Sequence, residues 1–364
     1  MRKLLRASAV WLLSLSPIFG WAQADTLHYA HGEVVFSNFA QETHGFYLFE
    51  PADPTPDSAQ VIVFLHGYGG YNPMIYGAWI RHLVRRGDIV IFPRYQKDIY
   101  FPRPGRFDDK AAQGIRDALD TLRTRPIVAR TDRFTYLGHS YGAMTAATLA
   151  ADSDRYGLPH PTAMLLSAPG TGPFFGLRRK SLRNLPEDLL LQIVVHDHDR
   201  TVGELMGRRI FETAERTPAR NLIVQHEELR DSFGIRAGHN ESYAIDLRYD
   251  MGHTNFTSRR ARKIGRTDRM DLYGYWKLAD ALLDCDRRGL DCDLALGGTP
   301  EQRNLGFYEN GLPVQPLEII RPDDFEFPLR IRNLKTFQLE ATDTLTRSTT
   351  QREQSEKQPA TEQQ

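Results

Sequence analysis

Cysteine is nearly missing from this chain: its 364 residues include two, Cys285 and Cys292. A lone pair makes a poor zinc site, and its spacing is not that of a C-x-x-C redox motif, so the economical reading is one structural disulfide closing a short loop. An excess of charge of either sign is missing too, because Lys+Arg and Asp+Glu both total 46. A balanced chain carries no electrostatic footprint for nucleic acid or an acidic polymer. Long apolar runs are lacking as well. A spanning helix needs about 20 apolar residues, and no stretch supplies them. No internal repeat is visible.

What is present is an ordinary globular composition, 41% hydrophobic and 25% charged, with ample material for a large core. At the N-terminus Arg2, Lys3 and Arg6 precede the short apolar stretch from Ala9 to Leu15, and Ala22-Gln23-Ala24 supplies small residues for cleavage. This predicts a signal peptide over residues 1–24 and a mature chain from about Asp25. No cysteine stands beside the cleavage site, so neither a lipid nor a transmembrane anchor is expected. The expected location is periplasmic or secreted, where a disulfide persists.

The mature chain alternates strand-like and helix-like patterns. Two partly alternating stretches, 26–38 and 45–50, suggest an antiparallel pair at a sheet edge. Val61-Ile62-Val63-Phe64-Leu65 is apolar without alternation, as a strand buried on both faces is. Helical patterns follow at about 74–86, 108–123, 202–216 and 271–284, and strands at 89–92, 134–137, 163–166, 190–195 and 221–224. That rhythm predicts an α/β fold, a doubly wound and mostly parallel sheet with helices on both faces. The domain is expected to span 25–335, the part after Cys285 being a C-terminal extension, and 336–364, rich in Thr, Gln, Glu and Ser, to be a disordered tail. Gly170 to Pro186, with Phe174-Phe175 beside Arg178-Arg179-Lys180, falls outside that rhythm and lies where a fold of this kind usually inserts a lid, which its length makes small. The stretch from Glu227 to Asp268 is long for a loop, and its Arg259-Arg260-Ala261-Arg262-Lys263 run is expected on a solvated loop face.

Chemistry concentrates at Gly138-His139-Ser140-Tyr141-Gly142, which follows a strand and opens the small-residue stretch from Ala143 to Ala151. Alone, the five residues would pass for a glycine-rich turn. Between strand and helix they form a G-x-S-x-G elbow, in which small neighbours leave room for a strained, exposed serine. A serine hydroxyl needs a base, and the base a third group that fixes its tautomer. With this elbow the chain order is Ser, then Asp or Glu, then His. The strand ending at His196-Asp197-His198-Asp199 offers Asp199 as the acid and Asp197 as the alternative. Among later histidines His226 continues a strand, which leaves His239 in Ala237-Gly238-His239-Asn240 as the preferred base and His253 as the alternative. Backbone N–H groups of Tyr68, in His66-Gly67-Tyr68-Gly69-Gly70, and of Tyr141 are the candidate oxyanion donors. His196 and His198 alternate like metal ligands on a strand, but no convincing third ligand accompanies them, so no metal is expected.

Taken in order, with a strand before each, His66-Gly67, Gly138-x-Ser140-x-Gly142, Asp199-x-x-Val202 and Gly238-His239 resemble the α/β-hydrolase superfamily over about Gly45 to Asp284. The closest flavour is that of exported bacterial esterases and lipases of the dienelactone-hydrolase or cutinase-like kind. The resemblance implies hydrolysis of a carboxylic ester, a small molecule or a lipid, through an acyl-enzyme and without a cofactor. An exported peptidase or amidase with the same triad, and a non-catalytic binding module of the same fold, remain alternatives. Tyr95, Tyr100, Phe101, Phe107 and Phe174-Phe175 are candidates for an apolar substrate pocket or for core packing. Oligomeric state is left open.

Overall fold

The computed structural model describes residues 28–41, 44–171, 182–230 and 234–324, together with the backbone of 329–333 and 338–341. The expected signal segment, Phe174 and Phe175 with most of the lid stretch, and most of the expected tail lie outside the described residues.

Along the chain come β1 (Glu33–Asn38), β2 (Phe46–Ala52), β3 (Ser58–Leu65), α1 (Gly77–Arg86), β4 (Ile89–Pro93), α2 (Phe107–Leu122), β5 (Val128–His139), α3 (Tyr141–Ala151), α4 (Ser153–Tyr156) and β6 (Pro161–Ser167). Then follow β7 (Leu190–His196), α5 (Leu205–Thr213), β8 (Arg220–Gln225), the short ladder of β9 (Glu228–Leu229) and β10 (Gly234–Ile235), α6 (Phe256–Ile264), α7 (Lys277–Arg288), α8 (Cys292–Leu296), α9 (Pro300–Arg303) and β11 (Glu318–Ile320). Nine strands form one sheet in the order β1-β2-β4-β3-β5-β6-β7-β8-β11. From β4 to β8 neighbouring strands run parallel, whereas β1 and β2 at one edge and β11 at the other pair antiparallel. The doubly wound α/β expectation is met, and so is the antiparallel entrance.

The apolar run of β3 shows why the sheet is covered twice. Val61, Val63 and Leu65 point into a core shared with α2, α3 and α5, while Ile62 and Phe64 point into a second core shared with α1 and α7. Alternate side chains of one strand thus serve both faces, and a polar residue at any of these positions would be buried. Ala143, Ala146, Ala147 and Ala150 of α3 are likewise buried, which lets that helix lie close on the sheet.

Several expectations need correction. The basic run at Arg259 to Lys263 belongs to helix α6, started by a capping box in which Asn255 and Ser258 exchange hydrogen bonds, and is not a loop. The last long helix begins with a π-helical stretch, Met270–Trp276, before α7. In this stretch Leu272 is 39% exposed while Tyr275 is buried. The segment after α7 is anchored at its start by the Cys285–Cys292 disulfide between α7 and α8, and it ends by adding β11 to the sheet. Leu329–Asn333 and Gln338–Ala341 pair with each other antiparallel.

Candidate active site

In the sheet order β4-β3-β5 the winding reverses at β3, and a crevice opens beyond the carboxyl ends of the strands at such a reversal. Leu65 of β3 pairs with Gly138 of β5, so the chain leaves the sheet side by side at His66-Gly67 and His139-Ser140. Ser140 has φ 55° and ψ −119°, a left-handed conformation that costs a non-glycine residue about 1–3 kcal/mol and persists only where its surroundings enforce it. They do. A Cβ on Gly142 would lie 2.1 Å from the Leu65 carbonyl oxygen, and one on Gly138 would lie 2.7 Å from the Ala143 Cα. The flanking glycines are therefore demanded by space.

Ser140 Oγ lies 2.8 Å from His239 Nε2, and His239 Nδ1 lies 2.7 Å from Asp199 Oδ2. The other carboxylate oxygen of Asp199 accepts from the backbone N–H groups of Thr201 at 2.8 Å and Val202 at 3.0 Å. The D-x-x-V turn thus closes on its own acid. Burial pushes the Asp199 carboxyl up, but the nearby His239, its hydrogen bond and the Val202 N–H outweigh burial and hold it below its usual value. An ionised carboxylate only accepts, so Nδ1 of His239 carries a proton and Nε2 of the neutral ring is left to accept from the serine hydroxyl.

A second histidine holds the first. The Gly67 N–H donates to Tyr76 Oη at 3.1 Å, which leaves the tyrosine proton for His139 Nδ1 at 2.9 Å. The remaining proton of His139, on Nε2, goes to the backbone carbonyl of His239 at 2.8 Å. A carbonyl only accepts, so the one proton of the neutral His139 ring sits on Nε2, and Nδ1 accepts from the Tyr76 hydroxyl. Burial lowers the His139 pKa to about 3, which keeps the ring neutral. Neither Tyr76 nor His139 was expected at the site. His139 sat in plain view at the variable position of the elbow motif, whereas nothing in the sequence marks Tyr76.

The loop from His66 to Gly70 lies against the elbow, since a Cβ on Gly67 would be 2.9 Å from His139 Nδ1 and 3.2 Å from Ser140 Cβ. Tyr68 is the next residue of that loop, and Tyr141 follows Ser140 as the first residue of α3. The loop is tied from several sides. Gly69, at φ 74°, donates to Gln96 Oε1 at 2.7 Å. Its carbonyl accepts from Asn255 Nδ2 at 2.8 Å, and the Tyr68 carbonyl accepts from Thr257 Oγ1 at 3.0 Å. The start of α6 is thus a clamp on the candidate oxyanion loop, and the long stretch before it is what carries the clamp across.

The alternatives go elsewhere. Asp197 accepts from His198 at 2.9 Å, from His226 at 3.1 Å and from the Glu227 N–H at 3.0 Å, all away from Ser140. His253 meets Tyr47 Oη at 3.2 Å and packs edge-on against Tyr71. His196 meets Tyr275 Oη at 2.6 Å inside the protein, while His198 is half exposed. No group of three or more potential ligands among the described residues is arranged to hold a metal. Tyr95 and Phe107 are core residues, whereas Tyr100 and Phe101 are 80% and 82% exposed.

A cavity of about 1170 Å³ opens at His239, walled by the loops that follow β7 and β8, by α6 and by Tyr308 to Asn310 of the C-terminal segment. No helix among the described residues is long and apolar enough to cross a membrane. No family model matches the chain, and no curated protein matches it.

Proposed function

We propose that the chain is an exported serine hydrolase of the α/β-hydrolase superfamily that cleaves carboxylic esters through an acyl-enzyme. One observation carries the reading: Ser140 Oγ, His239 and Asp199 form a continuous hydrogen-bonded relay on a strained elbow at the carboxyl edge of the sheet. Ser140 attacks the ester carbonyl while His239 Nε2 takes its proton, and Asp199 stabilises the imidazolium that forms. The oxygen turned anionic in the tetrahedral intermediate is held by the backbone N–H groups of Tyr68 and Tyr141. His239 then passes the proton to the departing alcohol, and a water activated by the same histidine releases the acid. The disulfide supports an oxidising compartment, outside the cytoplasm.

The test is hydrolysis of short and long p-nitrophenyl esters by the mature chain, with Ser140→Ala, His239→Ala and His253→Ala alongside. Turnover is expected to vanish in the first two and to persist in the third. A fluorophosphonate probe that fails to label Ser140 in the folded protein would leave the non-catalytic binding module standing instead. Turnover of peptide amides but not esters would move the reading to a peptidase.

A further inference from the structure

The cavity beside His239 is rich in arginine. Arg200, Arg236, Arg260, Arg266 and Arg269 all line it. None of the five forms an ion pair or a side-chain hydrogen bond among the described residues, although arginines nearby do: Arg208 pairs with Glu204 and Arg262 with Asp250. Four carboxylates share the lining, Glu227, Glu241, Asp268 and Glu309, one fewer than the arginines. Glu227 is engaged by His198, and Asp268 accepts from the Met270 N–H. Burial, with the neighbouring Asp268 and Glu227, lifts the Glu241 carboxyl to about 8 against the Gly238 N–H that it accepts from and the nearby Arg236. A concave site with an excess of unpaired guanidinium groups focuses its field on anions, and the planar fork of arginine fits the paired oxygens of a carboxylate or phosphate. The volume is that of a ligand site for a moiety of drug-like size or larger. Ser140 is not in the lining, and the cavity reaches the relay through His239.

Resting on the hydrolase reading, we propose that this cavity binds an oxyanion group of the substrate, so that the ester cleaved at Ser140 bears a carboxylate or phosphate on the part lodged beside His239. The C-terminal segment acquires a purpose in this arrangement, because Tyr308, Glu309 and Asn310 complete the wall. It is part of the binding site and not merely a covering of the core.

The experiment compares mono-p-nitrophenyl glutarate with the uncharged p-nitrophenyl butyrate on the mature chain, the double variant Arg236→Gln/Arg266→Gln, and Arg209→Gln, an exposed arginine of α5 outside the cavity. Wild type is expected to favour the glutarate ester at least tenfold in kcat/KM, the double variant to lose that preference, and Arg209→Gln to keep it. Butyrate hydrolysis with no preference for the glutarate ester would overturn the inference and leave the hydrolase standing. If neither ester is cleaved and a fluorophosphonate does not label Ser140, the hydrolase reading fails, and the cavity is judged by calorimetry with citrate and with inorganic phosphate on the Ser140→Ala protein. Binding of either anion that disappears with the arginine pair supports an anion site and names its chemistry. Absence of binding by both overturns it.

Discussion

His139 donates its Nε2 proton to the backbone carbonyl of His239 at 2.8 Å, so the residue next to Ser140 fixes the main chain of His239. Substituting His139→Phe keeps a ring in place but removes this donor and strands the Tyr76 hydroxyl, a loss of about 1–3 kcal/mol for buried partners left unmet. Misplacement of His239 is expected to lower kcat about tenfold to hundredfold. KM should move little, because His139 is buried behind Ser140 and His239. His139→Gln, which can still donate, should recover part of the rate. Unchanged kcat in the phenylalanine variant, with the protein folded, would remove the positioning role.

Two aspartates two residues apart divide the work cleanly. Asp199 holds His239, and Asp197 holds His198, His226 and the Glu227 N–H. Asp199→Asn can donate to Nδ1 and so favours the wrong tautomer, and kcat is expected to fall about 10³–10⁴-fold with geometry largely kept. Asp197→Asn should retain most of the activity and lower stability modestly. Steady-state kinetics with thermal unfolding of both variants checks this, and equal loss in the two would reassign the acid.

The clamp from α6 makes a separate claim. Asn255 both caps that helix and donates to the Gly69 carbonyl. Loss of an N-cap typically costs about 1 kcal/mol, up to about 2. Asn255→Asp keeps the cap but not the donor, so a comparison with Asn255→Ala separates the two jobs. If the Gly69 contact positions the oxyanion loop, both variants lose kcat, and only the alanine variant shows the full fall in melting temperature. A fall in kcat confined to Asn255→Ala would mean that helix stability alone matters.

How much of this was legible in the sequence follows the range of the interactions. The alternation of β3 between two cores, the elbow and the D-x-x-V turn are local, and local patterns show in sequence. The choice between His239 and His253 was weaker, since both sit in Gly-His loops, and what separates them is which loop crosses to Ser140. The clamp and the Tyr76-His139 relay join residues up to 189 positions apart, for which a single sequence offers no periodicity. The helix at 256–264 was missed because its apolar face is narrow, little more than Ala261 and Ile264, with arginines around it. The π-helical stretch at 270–276 adds a residue to one turn of the helix expected at 271–284, which a 3.6-residue period cannot show.

Buried titratable groups set the pH range of stability. Burial lowers His66 and His139 to about 3 and His196 to about 4. Below pH 6.5 the unfolded chain takes up protons that these folded histidines refuse, so their contribution is full above 6.5 and is lost as the pH falls. Asp199, held below its usual value, adds a further loss at the acid end. Glu241 and Asp271 act the other way. Burial raises both to about 8, so the folded state keeps protons that the unfolded chain has released, and stability is lost as the pH rises from about 4 toward 8. Each group contributes a slope of at most about 1.4 kcal/mol per pH unit. Between about 4.5 and 6.5 the three histidines rise against Glu241 and Asp271, and from 6.5 to 8 the histidine terms are spent while the two carboxyls still titrate; Asp88, Asp268 and Asp286, raised by burial, add to the falling side. The melting temperature is therefore expected to peak near pH 6.5 and to decline on both sides. Glu241→Gln should roughly halve the slope between 6.5 and 8 while leaving the acid limb steeper. A melting temperature that climbs steadily through pH 8 in the wild type would show that these carboxyls are ionised in the folded protein.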